Sequence, residues 1–307
     1  MKYLIIGAGG TGGLISGFLA RVYKDVTLIA RGEHLQTIQE NGLNMHFLYN
    51  EETVNVKNIK AVAEHELNDE VFDIIFVCVK AYSLKEVAPL IKKHSNQNSI
   101  IIPILNSLKA GSILRKAVED RQICDGCIYL TGFKSGPGEI SQNNKIFRIV
   151  YGFSGIDQGK HPQLYMVNSD LKEADVDIKY TSEINSAIFR KLCFTSAFAA
   201  VGLYHQVKAA DIQENPKYRK LFEDLLRELQ DIKNAAGFSG EYQIVEENLK
   251  ILNQLSGEFT ASLQKDIAAG NTDEREQLIF DLVRLAEEYQ VEAPHYHDIA
   301  NYLGYKH

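Results

Sequence analysis

The first third of the chain alternates short apolar runs with amphipathic stretches. Four runs rich in Val and Ile are nearly continuous in apolar character: Tyr3 to Ile6, Val26 to Ala30, Ile74 to Val79 and Ile100 to Leu105. A strand that is covered on both faces of its sheet needs such a run. Because helix-like patterns separate the runs, the sequence predicts an α/β fold with a Rossmann-type, doubly wound parallel sheet.

The pattern changes in the middle of the chain. Residues Ile128 to Phe133 and Ile146 to Phe153 have the apolar character of strands, and the turn Gly136-Pro137-Gly138 lies between them. We expect these strands to extend the same sheet.

Beyond Thr181 the apolar residues follow helical spacing almost to the end of the chain. Gly237 and Gly270 stand where helices commonly end. The predicted helices are Thr181 to Val207, Tyr218 to Ala236, Glu241 to Leu255, Ser256 to Ala269, Asp273 to Tyr289 and Pro294 to Tyr302. The sequence therefore predicts a Rossmann domain over residues 1–180, followed by an all-helical C-terminal domain over residues 181–307.

Composition narrows the classes of function. The 307 residues are 45% hydrophobic and 24% charged, with a formal net charge of −7 and no block rich in Lys or Arg. Such a chain is a poor nucleic-acid binder, although a local pocket can still hold an anion.

No run approaches the ~18 apolar residues of a membrane span, and no signal peptide is expected, so we expect a cytoplasmic protein without membrane partners. Cys124 and Cys127 have the spacing of a redox or zinc half-site, but reduced thiols are the simpler interpretation.

A glycine-rich motif follows the first predicted strand. Gly7-Ala8-Gly9-Gly10-Thr11-Gly12 has the form G-x-G-x-x-G and precedes a helical run. In this arrangement the glycines allow a tight turn, a close backbone approach to a pyrophosphate and close helix–strand packing. The helix N-terminus then presents N–H groups to the anion. The motif favours dinucleotide binding over a merely structural turn.

Polar residues follow the next three predicted strands. Arg31 stands where NAD-preferring folds carry a carboxylate, and its guanidinium suits a 2′-phosphate, so NADP(H) is expected. A solvated arginine at a strand end is the alternative. Lys80 and Asn106 also follow strands, where ligands bind in open α/β sheets, although either could be an ordinary loop residue.

Several segments together resemble the ketopantoate reductase family. The resemblance spans nearly the whole chain. It rests on the glycine loop, Arg31-Gly32-Glu33-His34, Val77-Cys78-Val79-Lys80-Ala81, Phe189-Arg190-Lys191-Leu192, Ser262-Leu263-Gln264-Lys265-Asp266, Gly270 and Glu274.

The resemblance implies reduction of 2-dehydropantoate to pantoate for coenzyme A synthesis, in a cleft between the two domains. Lys191 then corresponds to the proton donor, and Glu274 to a carboxylate that orients substrate and cofactor. Asn106 corresponds to the Asn beside the nicotinamide and substrate, Ser262 to the Ser that binds the substrate carboxylate, and Gly132 to a backbone cofactor contact. A homodimer through the helical domain is expected by the same analogy.

The residue types agree with this chemistry. Hydride addition to a ketone creates an alkoxide, which a nearby ammonium stabilises and protonates without any metal. A solvated helical lysine is the alternative for Lys191, and an ordinary charged helix start is the alternative for Glu274.

The chain departs from the family pattern after Lys191. The family commonly has Lys-x-x-x-Asn-x-x-x-Asn, whereas this chain has Thr195 and Ala199 at those positions and Ala209 at a third. We expect Thr195 and Ala199 to line the substrate pocket, because helical spacing puts them near the face of Lys191. Two alternatives therefore stay open: a reductase of another small keto acid, and an NADP-binding regulatory protein without turnover.

Overall fold

The computed structural model describes residues 1–306, and the chain divides into two compact units. The first comprises Met1–Leu105 and Lys109–Ile184, and the second comprises Asn106–Leu108 and the residues from Asn185 onward. Residues 181–184 group with the first unit. In this stretch the Thr181 amide donates to the Tyr151 carbonyl at 3.0 Å, and the Ser182 carbonyl accepts from the Gly155 amide at 2.9 Å.

The first unit holds two sheets and five α-helices within the described residues. Its strands are β1 (Lys2–Ile6), β2 (Asp25–Ile29), β3 (Leu43–Phe47), β4 (Glu52–Val56), β5 (Lys60–Val62), β6 (Ile74–Val77), β7 (Ile100–Pro103), β8 (Gln122–Ile123), β9 (Asp125–Gly136), β10 (Glu139–Gly152) and β11 (Asp177–Tyr180). Its helices are α1 (Gly10–Arg21), α2 (Gly32–Asn41), α3 (Leu84–Lys93), α4 (Ala110–Ala117) and α5 (Gln163–Glu173).

The larger sheet is parallel and six-stranded, in the order β5-β2-β1-β6-β7-β8. The four predicted buried strands are confirmed as β1, β2, β6 and β7. In β1, Tyr3 and Ile5 join a core on one face of the sheet, whereas Leu4 and Ile6 join a core on the other. Because β1 lies between β2 and β6, the strand order reverses at the sheet centre, which is where ligands bind in such sheets.

The expectation that the middle strands extend this sheet was wrong. β9 and β10 form a long antiparallel hairpin in a second sheet, in which β10 also pairs in parallel with β3 and β11. The two-residue strand β8 already occupies the edge of the first sheet. The partner of the hairpin, β3, is distant in sequence, so the local apolar pattern could not identify it.

The second unit is helical, as predicted. Its helices are α6 (Ile184–His205), α7 (Ala209–Glu214), α8 (Pro216–Ala236), α9 (Ile244–Gln254), α10 (Ser262–Ala268), a π-helical segment (Glu276–Phe280), α11 (Asp281–Glu288) and α12 (Pro294–Tyr302). Gly237 and Gly270 end helices with φ of 70° and 68°. The helix predicted from Ser256 starts only at Ser262, because the carbonyls of Gly257 and Phe259 accept hydrogen bonds from the first residues of α7.

Helix α6 has 22 residues. By length and composition it could cross a membrane, which the sequence analysis did not anticipate, but 67% of its most apolar window is buried inside the protein. It therefore has the character of a core helix. It also carries two adjacent basic residues, Arg190 and Lys191.

A polar linkage holds α6 in place. The hydroxyls of Ser196 on α6 and Tyr296 on α12 are 2.8 Å apart, and both residues are buried. Glu228 on α8 accepts hydrogen bonds from the amides of His295 at 2.8 Å and Tyr296 at 3.0 Å. This carboxylate thus satisfies the first amides of α12, and α12 in turn supports the helix that carries Lys191.

Replacing Glu228 should destabilise the second unit. Glu228 is only 6% exposed, so Glu228→Ala leaves buried N–H groups without an acceptor, which costs roughly 2–3 kcal/mol of unfolding free energy. Urea unfolding measures this loss. Asp231→Ala removes a carboxylate from the exposed side of the same helix and should change stability little. Equal stability of the two variants would contradict the capping role of Glu228.

Candidate functional site

The glycine-rich motif forms the turn between β1 and α1. Helix α1 begins at Gly10, its N-cap residue is Gly9, and neither a side-chain cap nor an acidic residue is present in its first turn. The first intrahelical bond runs from the Gly13 amide to the Gly9 carbonyl at 2.8 Å. The amides of Gly10, Thr11 and Gly12 thus precede the helical hydrogen-bond ladder and, with the helix dipole, favour an anion.

The backbone geometry of this turn fits a dinucleotide. A Cβ atom on Gly12 would lie 1.9 Å from the Gly7 carbonyl oxygen, so helix and strand approach closely. A Cβ atom on Gly9 would meet no atom within 4 Å, and Gly9 is exposed. Ala8 and Thr11 are half-buried beside it. The open side at Gly9 is where the motif is expected to receive a pyrophosphate.

Two other predicted cofactor residues lie close to this turn. A Cβ atom on Gly7 would be 2.8 Å from the Cys78 carbonyl oxygen, so the loop after β6, which leads to the half-buried Lys80, is adjacent to the turn. A Cβ atom on Gly10 would be 2.2 Å from the Gly132 carbonyl oxygen. The first unit therefore assembles the glycine loop, the segment of Lys80 and the backbone of Gly132.

Arg31 follows β2 and is the N-cap residue of α2. Its side chain is exposed, and within residues 1–306 its guanidinium has neither a hydrogen bond nor an ion pair. The group is therefore available to an external anion.

His34 was not assigned a role from the sequence. It lies in the first turn of α2, is 7% exposed, and its Nδ1 accepts a hydrogen bond from the Gly138 amide at 2.9 Å. Burial lowers the pKa of His34, and the charge of Lys134 lowers it further. The Gly136-Pro137-Gly138 turn was visible in the sequence, but nothing local indicated that it binds a residue 104 positions away.

In the second unit, Lys191 and Asn106 are hydrogen-bonded. The Lys191 ammonium is half-buried and donates to Oδ1 of Asn106, 85 residues away. Asn106 belongs to the short segment after β7 that groups with the helical unit. Two residues selected independently, one after a strand and one on a helix, are thus in direct contact.

The positions one and two turns after Lys191 differ in environment. Thr195 is half-buried, and its hydroxyl donates to the Lys191 carbonyl at 3.3 Å. Ala199 is 0% exposed. The expectation that both residues line an accessible pocket therefore does not hold for Ala199 in this structure.

Glu274 and Ser262 occupy contrasting positions. Glu274 lies one residue before the helical stretch that starts at Arg275 and continues into the π-helical segment. Glu274 is 3% exposed, whereas Glu276 is exposed, so Glu274 is not a solvated charge at a helix start. Ser262 is the exposed first residue of α10. This helix packs on α6, since a Cβ atom on Gly202 would lie 2.5 Å from Oε1 of Gln264. Gly202 is on the Lys191 face of α6, about 16 Å farther along at 1.5 Å per residue.

The cysteines and other metal-ligating residues form no recognisable centre within residues 1–306. All four cysteines are free, and Cys124, Cys127 and Cys193 are buried. Within the described residues, no group of three or more His, Cys, Asp or Glu side chains could hold a metal ion.

Two family models cover most of the chain. Residues 3–154 match the model of ketopantoate reductase PanE/ApbA, and residues 183–306 match the model of its C-terminal domain. The two matched segments correspond to the two units of the structure.

Individual relatives agree with these models. An uncharacterized oxidoreductase, YkpB of Bacillus subtilis, is 26% identical over 96% of this chain and 95% of its own, and a 2-dehydropantoate 2-reductase of Pyrococcus abyssi is 27% identical over 96% and 94%.

Solved structures share the fold over nearly the whole length. The 2-dehydropantoate 2-reductase of Geobacter metallireducens has a TM-score of 0.89 at 21% identity, covering 99% of both chains. A D-mandelate dehydrogenase in complex with NADH and anilino(oxo)acetate has a TM-score of 0.86 at 21% identity, covering 98% of this chain and 96% of its own. Because the two family models together cover most of the chain, the protein belongs to the ketopantoate reductase family of oxidoreductases.

Proposed function

We propose that the protein reduces the 2-keto group of a small 2-keto acid with NADPH, and that Lys191 supplies the proton. 2-Dehydropantoate is the first candidate substrate. The observation that carries the proposal is the hydrogen bond from the Lys191 ammonium to Oδ1 of Asn106.

This hydrogen bond holds the Lys191 side chain in one position. The side-chain oxygen of Asn106 can only accept, so the lysine nitrogen is the donor. An ammonium held in one position stabilises the negative charge that develops on a keto oxygen and then delivers a proton to it. When bound, the nicotinamide cofactor supplies the hydride. The same ammonium attracts the carboxylate of a 2-keto acid.

The surroundings of Lys191 support a positioned group rather than a mobile one. The lysine is half-buried on a core helix that Tyr296 fixes through Ser196. Thr195 is half-buried one turn later and can contribute a hydroxyl to the substrate side. The family pattern is the ground for two further assignments. The buried carboxylate of Glu274 orients the substrate, and the exposed hydroxyl of Ser262 contacts the substrate carboxylate.

Arg31 supports NADPH as the cofactor. A guanidinium at the end of β2 can pair bidentately with a 2′-phosphate, whereas NADH offers only a hydroxyl there. The D-mandelate dehydrogenase neighbour was solved with NADH, and titration with both cofactors tests the assignment.

Arg31→Ala should weaken NADPH binding and leave NADH binding nearly unchanged. Loss of a charge-assisted pair to the 2′-phosphate costs roughly 1.5–3 kcal/mol, equivalent to about 10- to 150-fold in dissociation constant. Arg31→Lys keeps the charge but loses the bidentate geometry, and should fall between the two. Calorimetric titration with both cofactors measures these constants. Equal losses for NADPH and NADH would remove Arg31 from 2′-phosphate recognition.

Lys191→Ala should lower the turnover number by roughly 10²- to 10⁴-fold, the usual contribution of general acid catalysis. NADPH affinity should stay close to that of the unmodified protein. Lys250→Ala provides a matched control, because Lys250 is an exposed lysine on α9. Single-turnover NADPH oxidation isolates the chemical step. A Lys191→Ala rate similar to that of the control would require a different proton donor.

Thr195→Asn should raise the selectivity for 2-dehydropantoate over other 2-keto acids by restoring one family amide at a half-buried position. Ala199→Asn should instead destabilise the protein by about 1–3 kcal/mol, because Ala199 has no exposed surface and the added volume overpacks the core. The measurement is kcat/KM across a panel that includes 2-dehydropantoate and phenylglyoxylate, with thermal unfolding of each variant. High efficiency of the unmodified protein with 2-dehydropantoate, reduced by Thr195→Asn, would refute this account of the pocket.

Turnover of no panel member by the unmodified protein, together with tight NADPH binding, would replace the enzyme proposal by that of an NADP-binding regulatory protein.

A further inference from the structure

The β9–β10 hairpin lies directly against the first turn of α1. A Cβ atom on Gly10 would be 2.2 Å from the Gly132 carbonyl oxygen and 2.6 Å from the Phe133 amide nitrogen. A Cβ atom on Gly132 would point toward α1 in turn, at 2.6 Å from Cδ1 of Leu14. Strand β9 therefore runs along the helix N-terminus that is proposed to face the cofactor phosphates.

The strand pleat places Lys134 on the α1 side of this hairpin. Successive side chains of a strand alternate between faces, so Lys134 shares a face with Gly132 two residues earlier. The pairing is regular over this stretch, with Lys134 opposite Ile140 and Gly132 opposite Gln142. Paired residues of an antiparallel ladder also share a face. Ile140 packs on α1, because a Cβ atom on Gly13 would lie 2.7 Å from its Cγ1.

The other end of the hairpin is attached to α2. The Gly138 amide donates to Nδ1 of the buried His34 at 2.9 Å. Gly138 has a φ of 68°, and a Cβ atom there would lie 2.5 Å from Cγ2 of Thr37, so only glycine suits this contact. Lys134 thus lies on the strand between a contact with the glycine loop and a contact with the first turn of α2, the helix that begins after Arg31.

The Lys134 side chain is exposed, and within residues 1–306 it has no hydrogen bond and no carboxylate partner. The charge of Lys134 nevertheless acts on His34: burial is the main cause that lowers the pKa of His34, and the Lys134 charge lowers it further. An unpaired cation close to both phosphate-binding segments of the fold is suited to bind a phosphate group.

We propose that Lys134 is a further phosphate-binding residue of the cofactor site, which supplements the α1 N-terminus and Arg31. This proposal rests on the proposed function as an enzyme that uses a nicotinamide dinucleotide. Two phosphates of such a cofactor have the required chemistry: the pyrophosphate, expected at the glycine loop, and the 2′-phosphate, expected near the start of α2. The experiment separates them, because NADH carries only the pyrophosphate.

The test compares Lys134→Gln and Lys134→Glu with Lys179→Gln by calorimetric titration of NADPH and NADH. Lys179 is an exposed lysine on β11 of the same sheet, so its substitution removes the same charge from that sheet. We expect Lys134→Gln to raise the NADPH dissociation constant roughly five- to tenfold, the scale of one exposed charge-assisted contact, and Lys134→Glu to raise it more. Lys179→Gln should stay within about twofold, as a surface charge outside the site.

The pattern across cofactors identifies the phosphate. A loss with NADPH alone supports the 2′-phosphate as the partner of Lys134, and equal losses with NADPH and NADH support the pyrophosphate. In either case the loss should shrink as the salt concentration rises, because an exposed ion pair is screened. Thermal unfolding of the variants verifies that the hairpin is intact.

Unchanged affinity of both Lys134 variants for both cofactors, beside normal binding by the unmodified protein, would overturn the role of Lys134 and leave the proposed function standing. Failure of the unmodified protein to bind NADPH or NADH would instead overturn the proposed function itself.

Discussion

The close backbone approach at the glycine turn is the constraint on which the first unit depends. A side chain on Gly12 would overlap the Gly7 carbonyl at 1.9 Å, and one on Gly10 would overlap the Gly132 carbonyl at 2.2 Å. Three elements can therefore meet at one point: the end of β1, the start of α1 and the middle of β9. The first amides of α1 are free as at any helix start, and because Gly9 has no side chain, an anion could approach them closely.

In the second unit, the main constraint is that the apolar core helix α6 carries the amine of Lys191. Lys191 is half-buried, and a hydrogen bond to Asn106 compensates part of the cost of removing its ammonium from water. The helix itself cannot rotate freely, because Ser196 is bonded to Tyr296 and the start of α12 is bonded to the buried Glu228. These hydrogen bonds thus give the apolar helix α6 a defined orientation.

Much of this architecture was predictable from the sequence, and the failures share a cause. The ends of the four buried strands were predicted to within one or two residues, because a strand that is buried on both faces requires a continuous apolar run. The hairpin of β9 and β10 was placed in the wrong sheet, because its pairing with β3 depends on residues almost a hundred positions away. The contact of His34 with Gly138 is non-local in the same way. Lys191 and Asn106 were selected from motif and strand position, and only the structure shows them bonded.

The family pattern is retained at some positions around α6 and changed at others. Lys191 and Asn106 match the pattern and are hydrogen-bonded to each other. The amide positions are changed, and they are changed unequally. Thr195 is half-buried and can vary without disturbing the core, whereas Ala199 is enclosed on the same helix that Tyr296 fixes. An amide at position 199 would need space that its neighbours now fill. A change at that position therefore involves the packing of α6 as a whole.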